Sequence, residues 1–270
     1  MERRSLEHQG RTRTWTVVEG DPDTLLLVLH GSRQSGNVMR NFTDRTFEGL
    51  GPTVAYPDGV EHHFNDLRTG FNESARRLRI DDVGFLRRVI EHHNPDRVIG
   101  CGFSNGGQMI MRLLFDAPGL LDGAATFGAS MPVESNTCVG IENYAPTPLV
   151  AVQGTADPLV PYSGGTAGIG GDNRGETRSA YASAEFFARL NSCAGRESST
   201  SGALRIDDFT GRFPVRLITI DGFGHMVPVA KPLDARLGPG TDEITGGEVI
   251  RRFFFDGRTR RAPHPPPPRR

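Results

Sequence analysis

The chain has very little cysteine, lysine and tryptophan. Its 270 residues include three cysteines (Cys101, Cys138 and Cys193), one tryptophan and a single lysine, Lys231. None of the cysteines has the spacing of a metal-binding motif, which argues against a zinc or iron–sulfur site. An odd number of cysteines is typical of a reduced, intracellular protein. A Cys138–Cys193 disulfide stays open as the less favoured alternative.

The sequence also lacks a long apolar run and an excess of charge of either sign. Residues 1–10 carry charges but no apolar stretch, so they predict no secretory signal, and no segment reads as a membrane span. The formal net charge is −1 and the arginines are scattered, which argues against nucleic-acid binding. We therefore expect a cytoplasmic protein with neither a membrane nor a nucleic-acid partner.

The apolar pattern predicts alternating strands and helices. The predicted strands are residues 13–19 (an edge strand), 24–30, 53–56, 97–101, 121–127, 148–154, 203–209 and 215–221. The predicted helices are residues 81–93, 108–116, 176–190 and 243–255, and residues 164–175 predict a glycine-rich surface loop.

This alternation is typical of an α/β fold. We expect a mostly parallel sheet covered by helices on both faces, in a single domain of residues 1–257. Residues 258–270 read RTRRAPHPPPPRR and predict a basic, proline-rich, disordered tail.

A serine stands in a glycine-rich turn between a predicted strand and a predicted helix. The segment GFSNGG places Ser104 between Gly102 and Gly106. In the pattern G-x-S-x-G, the serine takes strained backbone angles at the corner, and the glycines keep side chains out of the turn. The same sequence pattern also occurs in tight turns that have no catalytic role, so the interpretation of Ser104 as a nucleophile depends on the rest of the chain.

A serine nucleophile requires a base, and few histidines follow Ser104. Only His225 and His264 lie downstream, and His264 falls in the proline-rich tail. His225 lies in the glycine-rich loop after a predicted strand, a typical position for a catalytic base. The serine–acid–histidine order of α/β-hydrolases then requires an acid between Ser104 and His225.

Asp157 is the favoured acid among several aspartates. It directly follows a buried strand, in a turn that Gly154 and Pro158 define. The rival aspartates lie before a strand, within a hairpin or too close to His225; they are Asp122, Asp207, Asp208 and Asp221.

The oxyanion of an acyl-transfer reaction requires backbone N–H donors. Asn105 directly follows the serine and supplies one donor, and the loop after the early strand supplies the other. In that loop Ser32 is the first choice and Arg33 the alternative. His30 is expected to be a buried brace of the loop rather than a second catalytic histidine.

Seven segments in one order carry a family resemblance. They are HGSRQSG, YPDG, FNDLR, DDVGFLRRVIE, GFSNGG, QGTADPLVPY and GFGHMVP. Over residues 24–255 the chain resembles the polyhydroxybutyrate depolymerase and feruloyl esterase group of α/β-hydrolases. The resemblance implies an eight-stranded type of sheet and a serine esterase that needs no metal and no cofactor.

Site roles follow from the resemblance. It implies that Ser104 is the nucleophile, Asp157 the acid and His225 the base, with Asn105 and the Ser32 loop as the oxyanion hole. The implied substrates are small-molecule esters: short-chain, hydroxyalkanoate or hydroxycinnamate (feruloyl) esters, cleaved through an acyl-enzyme. Asn65 and Asp66 of FNDLR are expected to brace a loop near the site. Group members often carry tryptophan two residues after the histidine, where this chain has Val227.

Two other functions compete with an esterase. An α/β-hydrolase-type serine peptidase usually carries an added domain or a large cap, and this chain has little spare length for either. A non-catalytic binding protein on the same scaffold usually loses one of the three catalytic residues, whereas all three are present here.

Overall fold

The computed structural model describes residues 1–169 and 172–256. The described part has one ten-stranded sheet, a separate two-stranded hairpin and helices on both faces of the sheet. The strands are β1 (Glu2–His8), β2 (Arg11–Val18), β3 (Asp21–Leu29), β4 (Pro52–Pro57), β5 (Arg97–Phe103), β6 (Gly123–Phe127), β7 (Leu149–Gly154), β8 (Gly165–Ile169), β9 (Asp172–Thr177), β10 (Gly195–Ser201), β11 (Leu204–Thr210) and β12 (Val215–Ile220).

The helices are short and separate most of the parallel strands. They are α1 (Gly36–Phe42), α2 (Ser74–Arg77), α3 (Asp82–His93), α4 (Asn105–Asp116), α5 (Ala180–Leu190) and α6 (Gly246–Ile250). Single turns of 3₁₀-helix lie at Glu48–Leu50, Glu134–Asn136 and Ala235–Leu237, and a π-helical turn, Arg251–Phe255, continues α6. None of the described helices is both long and apolar enough to cross a membrane.

The large sheet has a parallel centre and antiparallel edges. Its strand order is β1-β2-β4-β3-β5-β6-β7-β12-β11-β10. The six strands from β4 to β12 pair in parallel, which confirms the predicted mostly parallel sheet. The pairs β1–β2, β2–β4, β12–β11 and β11–β10 are antiparallel. The carboxyl ends of the parallel strands therefore meet at one edge of the sheet, where ligands bind in folds of this kind.

Two apolar layers cover the two faces of the sheet. Along β3, Leu25, Leu27 and Leu29 pack in one layer, while Leu26 and Val28 pack in the other. This alternation is the period of two that a strand buried on both faces requires. Helices α3, α4 and α5 contribute to the first layer, and α1 and α6 contribute to the second.

Both edges of the sheet extend further than the sequence predicts. The strand at residues 13–19 was expected at an edge, but β1 pairs along its full length and takes that place. At the other edge β10, which is exposed at every residue, pairs with β11. The sheet therefore has ten strands instead of the eight that the resemblance implies. Neither added strand has the alternation of apolar residues by which a half-buried strand is recognised.

Several predicted elements have different bounds or a different type in the structure, and the helix predicted at 108–116 already begins at Asn105. Within the segment predicted as a loop, residues 165–169 and 172–175 are strand, as parts of β8 and β9, although their glycines and polar residues have low strand propensity. The helix predicted at 176–190 begins at Ala180, because β9 continues to Thr177 and Ser179 caps the helix. The helix predicted at 243–255 begins at Gly246, after a capping box between Thr245 and Glu248.

Other predictions concern the cysteines and the tail. Cys138 and Cys193 are both free, so the structure does not contain the disulfide that was left open. The predicted tail, residues 258–270, lies outside the described residues, and the domain boundary at residue 257 stays a prediction.

Candidate active site

Ser104 lies at a sharp turn between the central strand β5 and helix α4. Its backbone has φ 52° and ψ −114°, a conformation that L-residues seldom adopt. The flanking glycines make the turn possible. A Cβ atom on Gly102 would lie 2.3 Å from the carbonyl oxygen of Gly106, and one on Gly106 would lie 2.3 Å from that of Leu29. The glycines predicted to keep side chains out of this corner are thus required by sterics.

Hydrogen bonds hold the strained serine in place. Its N–H donates to the carbonyl of Phe127 on β6 at 2.9 Å, and its own carbonyl accepts from Gln108 in α4 at 3.0 Å. Strain of this kind persists only where the surroundings over-determine the conformation. Ser104 also lines a cavity.

His225 lies within hydrogen-bonding distance of Ser104. Its Nε2 atom is 2.9 Å from Oγ of Ser104, and the side chain is almost fully buried. The backbone N–H of His225 donates to the carbonyl of Leu237 at 2.6 Å. Its ring packs against that of Phe103, with 5.0 Å between the ring centroids.

Asp157 holds the other side of the imidazole ring. Its Oδ2 atom is 2.7 Å from Nδ1 of His225, and its Oδ1 atom accepts from the N–H groups of Leu159 and Val160, both at 2.8 Å. An ionised carboxylate only accepts hydrogen bonds, so Nδ1 carries the proton and Nε2 is free to accept from the serine hydroxyl.

The rival aspartates have other partners. Asp122 accepts from the N–H of Val98, Asp207 from Arg205, Asp208 from Arg216 and Asp221 from Thr155. Asp157, in contrast, follows β7, which is the direct neighbour of the strand that precedes His225. The structure therefore brings together Ser104, His225 and Asp157, which were predicted from three separate segments.

Asn105 begins helix α4 directly after the serine. As the first helical residue, its N–H has no acceptor within the helix, and the positive end of the helix dipole lies there. Its buried side chain is held on both sides, because Oδ1 accepts from the N–H of Phe64 and Nδ2 donates to Asp66 at 2.7 Å. These contacts fix the first turn of α4 beside Ser104.

The second predicted donor, Ser32, lines the same cavity as Ser104. The alternative, Arg33, already donates its backbone N–H to the carbonyl of His62 at 3.0 Å, which leaves Ser32 as the better candidate.

His30 is the predicted brace of the Ser32 loop. It is fully buried, its Nδ1–H donates to the carbonyl of Gly31 at 2.7 Å, and its Nε2 accepts from the N–H of Gly59 at 2.9 Å. Burial lowers the pKa of His30 to about 4, so the ring is neutral near pH 7. This confirms the structural role that was predicted for His30.

The residues that meet at this edge surround a cavity of about 330 Å³. Its lining residues come from the end of β5, from the segments that follow β3, β4, β5, β7 and β12, and from the β8–β9 hairpin; they are Ser32, Arg33, Gln34, Arg68, Phe103, Ser104, Leu159, Val160, Ala167, Gly168, Arg174, His225, Asp234, Arg236 and Leu237. Val227, which replaces the tryptophan of the resemblance, does not line the cavity and is buried in the core instead.

No protein-family model matches the chain, whereas individual proteins and solved structures do. The chain is similar to "Putative esterase NocK" from Nocardia uniformis subsp. tsuyamanensis, with 28% identity over 81% of this chain and 72% of that protein. It is also similar to feruloyl esterase B from Piromyces equi, with 26% identity over 65% of this chain but only 34% of that protein.

Solved structures support the fold. The acetyl xylan esterase from Aspergillus awamori matches with a TM-score of 0.58 over 85% of this chain and 96% of its own, at 12% identity. The chain itself is an esterase with the α/β-hydrolase fold. The esterase departs from the simplest form of the fold by its two added edge strands and by the β8–β9 hairpin.

Two residues of the esterase's cavity carry no clear signal in the sequence. Arg174 lies in the segment that was predicted to be a loop, so its place in the cavity wall follows only from the hairpin. Arg68 belongs to FNDLR, in which Asn65 and Asp66 were predicted to brace a loop. That prediction is confirmed, because Asn65 donates its side-chain amide to the carbonyl of Ile80 and Asp66 binds Arg68 and Asn105.

Proposed function

We propose that the esterase cleaves its substrates with a Ser104–His225–Asp157 triad and a covalent acyl-enzyme intermediate. The observation that carries the proposal is the continuous hydrogen-bond chain from Ser104 Oγ through His225 to Asp157, with lengths of 2.9 and 2.7 Å. The three residues follow β5, β12 and β7, so the parallel sheet fixes their relative positions. A nucleophile, a base and an orienting acid in this geometry are the requirements of acyl transfer.

In the first half-reaction, Ser104 attacks the ester carbonyl. A bond forms between Oγ and the carbonyl carbon, while the hydroxyl proton moves to Nε2 of His225. The negative charge that develops on the carbonyl oxygen accepts hydrogen bonds from the backbone N–H groups of Asn105 and Ser32. When the carbon–oxygen bond to the alcohol breaks, His225 returns the proton to the leaving oxygen.

In the second half-reaction, water releases the acyl group. His225 takes a proton from the water as it attacks the acyl-enzyme, and then returns a proton to Oγ of Ser104. Asp157 stays ionised and stabilises the imidazolium in both steps. Its fixed Oδ1, held by two backbone N–H groups, keeps Oδ2 aimed at the ring.

The substrates that we propose are small carboxylic esters with short-chain acyl, hydroxyalkanoyl or hydroxycinnamoyl (feruloyl) groups. The size of the cavity, about 330 Å³, is at the small end of ligand sites. The similarity to feruloyl esterase B and the seven ordered segments support membership of the polyhydroxybutyrate depolymerase and feruloyl esterase group.

Hydrolysis of p-nitrophenyl esters of increasing acyl length tests this function. We expect turnover that is highest for short acyl groups and that falls by about 10⁴-fold or more in Ser104→Ala. A peptide p-nitroanilide measured in parallel separates an esterase from a peptidase. Hydrolysis of the ester that is unchanged in Ser104→Ala would contradict the proposed nucleophile, and absence of any turnover would favour the non-catalytic alternative.

A further inference from the structure

Arginine dominates the charged lining of the cavity. Among the residues that the structure describes, four arginines line it, Arg33, Arg68, Arg174 and Arg236, against the single acidic residue Asp234. Arg33 and Arg236 are mostly exposed, and each has a carboxylate partner at the rim. Arg68 and Arg174 differ from them, because both are largely withdrawn from solvent and still line the space beside Ser104.

Arg68 has a buried guanidinium group in which one nitrogen atom has no hydrogen-bond partner in the described part of the chain. Its side chain is 4% exposed, and Nε and Nη2 both donate to the carboxylate of Asp66. Within residues 1–169 and 172–256, Nη1 has no hydrogen-bond acceptor. It is also not fully enclosed by other atoms. Nη1 therefore keeps access to open space, and the open space that Arg68 lines is the cavity.

Arg174 is placed beside Arg68 by the β8–β9 hairpin. Its guanidinium lies 5.0 Å from the ring centre of Phe71, and that of Arg68 lies 4.6 Å from the same centre. Nη1 of Arg174 donates to Oγ of Ser32 at 2.7 Å, and Nη2 donates to Glu73 at 3.3 Å. Arg174 is thus in contact with the loop that carries the proposed oxyanion donor.

The acids that balance the two arginines do not line the cavity. Asp66 and Glu73 are absent from the lining, so the cavity meets the guanidinium groups and not their carboxylate partners. Glu73 also lies 3.9 Å from Nε2 of His63. When His63 is protonated, Glu73 pairs with both His63 and Arg174. Burial, followed by the like charge of Arg68, lowers the pKa of Arg174. An anion held between two like charges would relieve this repulsion.

We infer that Arg68 and Arg174 bind a carboxylate of the substrate, so that the esterase prefers esters that carry a free carboxylate group. This inference rests on the proposed function, because it concerns the substrate of the same site. Guanidinium groups match the planar geometry of a carboxylate, and their hydrogen bonds are strongest where water is excluded. A neutral ester leaves the Arg68–Arg174 pair without the anion and gains nothing from it.

Two matched pairs of esters test the preference. Monomethyl glutarate is compared with its primary amide, and 4-acetoxybutyrate with its primary amide. The first pair carries the carboxylate on the acyl side and the second on the alcohol side, while each amide keeps the shape without the charge. We expect the acid to exceed its amide in kcat/KM by about 10- to 100-fold in at least one pair, mainly through KM, since one or two charge-assisted hydrogen bonds distinguish them.

Variants of Arg174 show whether the pair causes the preference. In Arg174→Gln the ratio of acid to amide should fall towards one, and in Arg174→Lys, which keeps the charge, part of the ratio should return. Arg189→Gln is the control, because it removes an exposed arginine that pairs with Glu185 outside the cavity. The ratio in this control should equal that of the wild type.

The same data separate this inference from the proposed function. Equal kcat/KM for acid and amide in both pairs overturns the inference, while Ser104-dependent hydrolysis of p-nitrophenyl acetate in the same preparation upholds the triad. An Arg174→Gln variant that loses activity on acid and amide alike also overturns it, because Arg174 would then only position the Ser32 loop. A ratio that Arg174→Gln leaves unchanged overturns it as well.

Discussion

The Nε2 atom of His225 lies 2.9 Å from Oγ of Ser104, although the two residues are 121 positions apart in the chain. The sheet produces this contact, because β5 and β12 end at the same edge with β6 and β7 between them. Each catalytic candidate is held by backbone hydrogen bonds in the turn that follows its strand. Preorganisation of this kind places the reacting groups before the substrate arrives.

Replacement of the acid tests the orientation of the imidazole. Asp157→Asn keeps the shape of the side chain but permits the wrong tautomer of His225, so we expect kcat to fall by about 10⁴-fold. Asp221→Asn is the matched control, since Asp221 lies four residues before His225 but accepts from Thr155. Steady-state hydrolysis of p-nitrophenyl acetate measures both variants. Comparable losses in the two would contradict the assignment of Asp157.

Gly128 tests how closely the histidine is packed. It has φ +57°, and a Cβ atom there would lie 3.0 Å from Nδ1 of His225. We expect Gly128→Ala to lower the free energy of unfolding by about 1 kcal/mol and to lower kcat by about tenfold, because the ring must move.

Gly119→Ala is the control for the backbone effect. Gly119 has φ +78° with open space around its Cβ position, so this variant should lose similar stability and keep kcat. Urea unfolding and ester hydrolysis provide the two readouts. Equal kcat in the two variants would show that the ring tolerates a methyl group at position 128.

Removal of an N–H tests the oxyanion hole. Ser32→Pro lacks the backbone donor and should lower kcat by about 10²- to 10³-fold, whereas Ser32→Ala keeps the donor and should lose less than about tenfold. Thermal unfolding of both variants checks that the fold persists. Equal activity in a folded Ser32→Pro variant would place the second donor elsewhere in the loop.

His30 gives the stability of the esterase a dependence on pH. Its pKa in the folded state is about 4, below the ordinary value of 6.5, so the unfolded chain binds the additional proton between these values. Stability from the neutral ring is therefore present above about pH 6.5 and is lost as the pH falls towards 4, by roughly 3 kcal/mol in total.

Comparison of wild type with His30→Gln isolates this contribution. Glutamine cannot titrate, so the free energy of unfolding should fall less steeply between pH 6.5 and pH 4 in the variant than in the wild type. Urea unfolding at a series of pH values measures both slopes. Parallel slopes would mean that His30 does not titrate differently in the folded and unfolded states.

The parts of the structure that sequence predicts well are those with local signals. The apolar runs of β3, β5 and β7 are continuous because both faces of these strands are buried, and the serine turn needs glycines for steric reasons. The order of the chain then favoured His225 as the base, and the position of Asp157 after a buried strand favoured it over the other aspartates.

The remaining parts depend on contacts between distant segments. Strands β1, β10 and β8–β9 are exposed or glycine-rich, so backbone pairing with a neighbour makes them strands in the absence of an apolar pattern. Arg174 lies in the cavity wall together with Ala167 and Gly168 of the same hairpin, and Asn136 donates to its carbonyl oxygen at 3.1 Å. Long-range contacts of this kind leave no periodic trace in the sequence.

Covalent labelling with a fluorophosphonate tests the central claim most directly. The reagent reacts with a serine that a neighbouring base activates, and peptide mass spectrometry locates the adduct. The account predicts one adduct on Ser104 in the wild type, none on this peptide in Ser104→Ala, and strongly slowed labelling in His225→Gln. An adduct on another residue, or equally fast labelling of His225→Gln, would contradict the account.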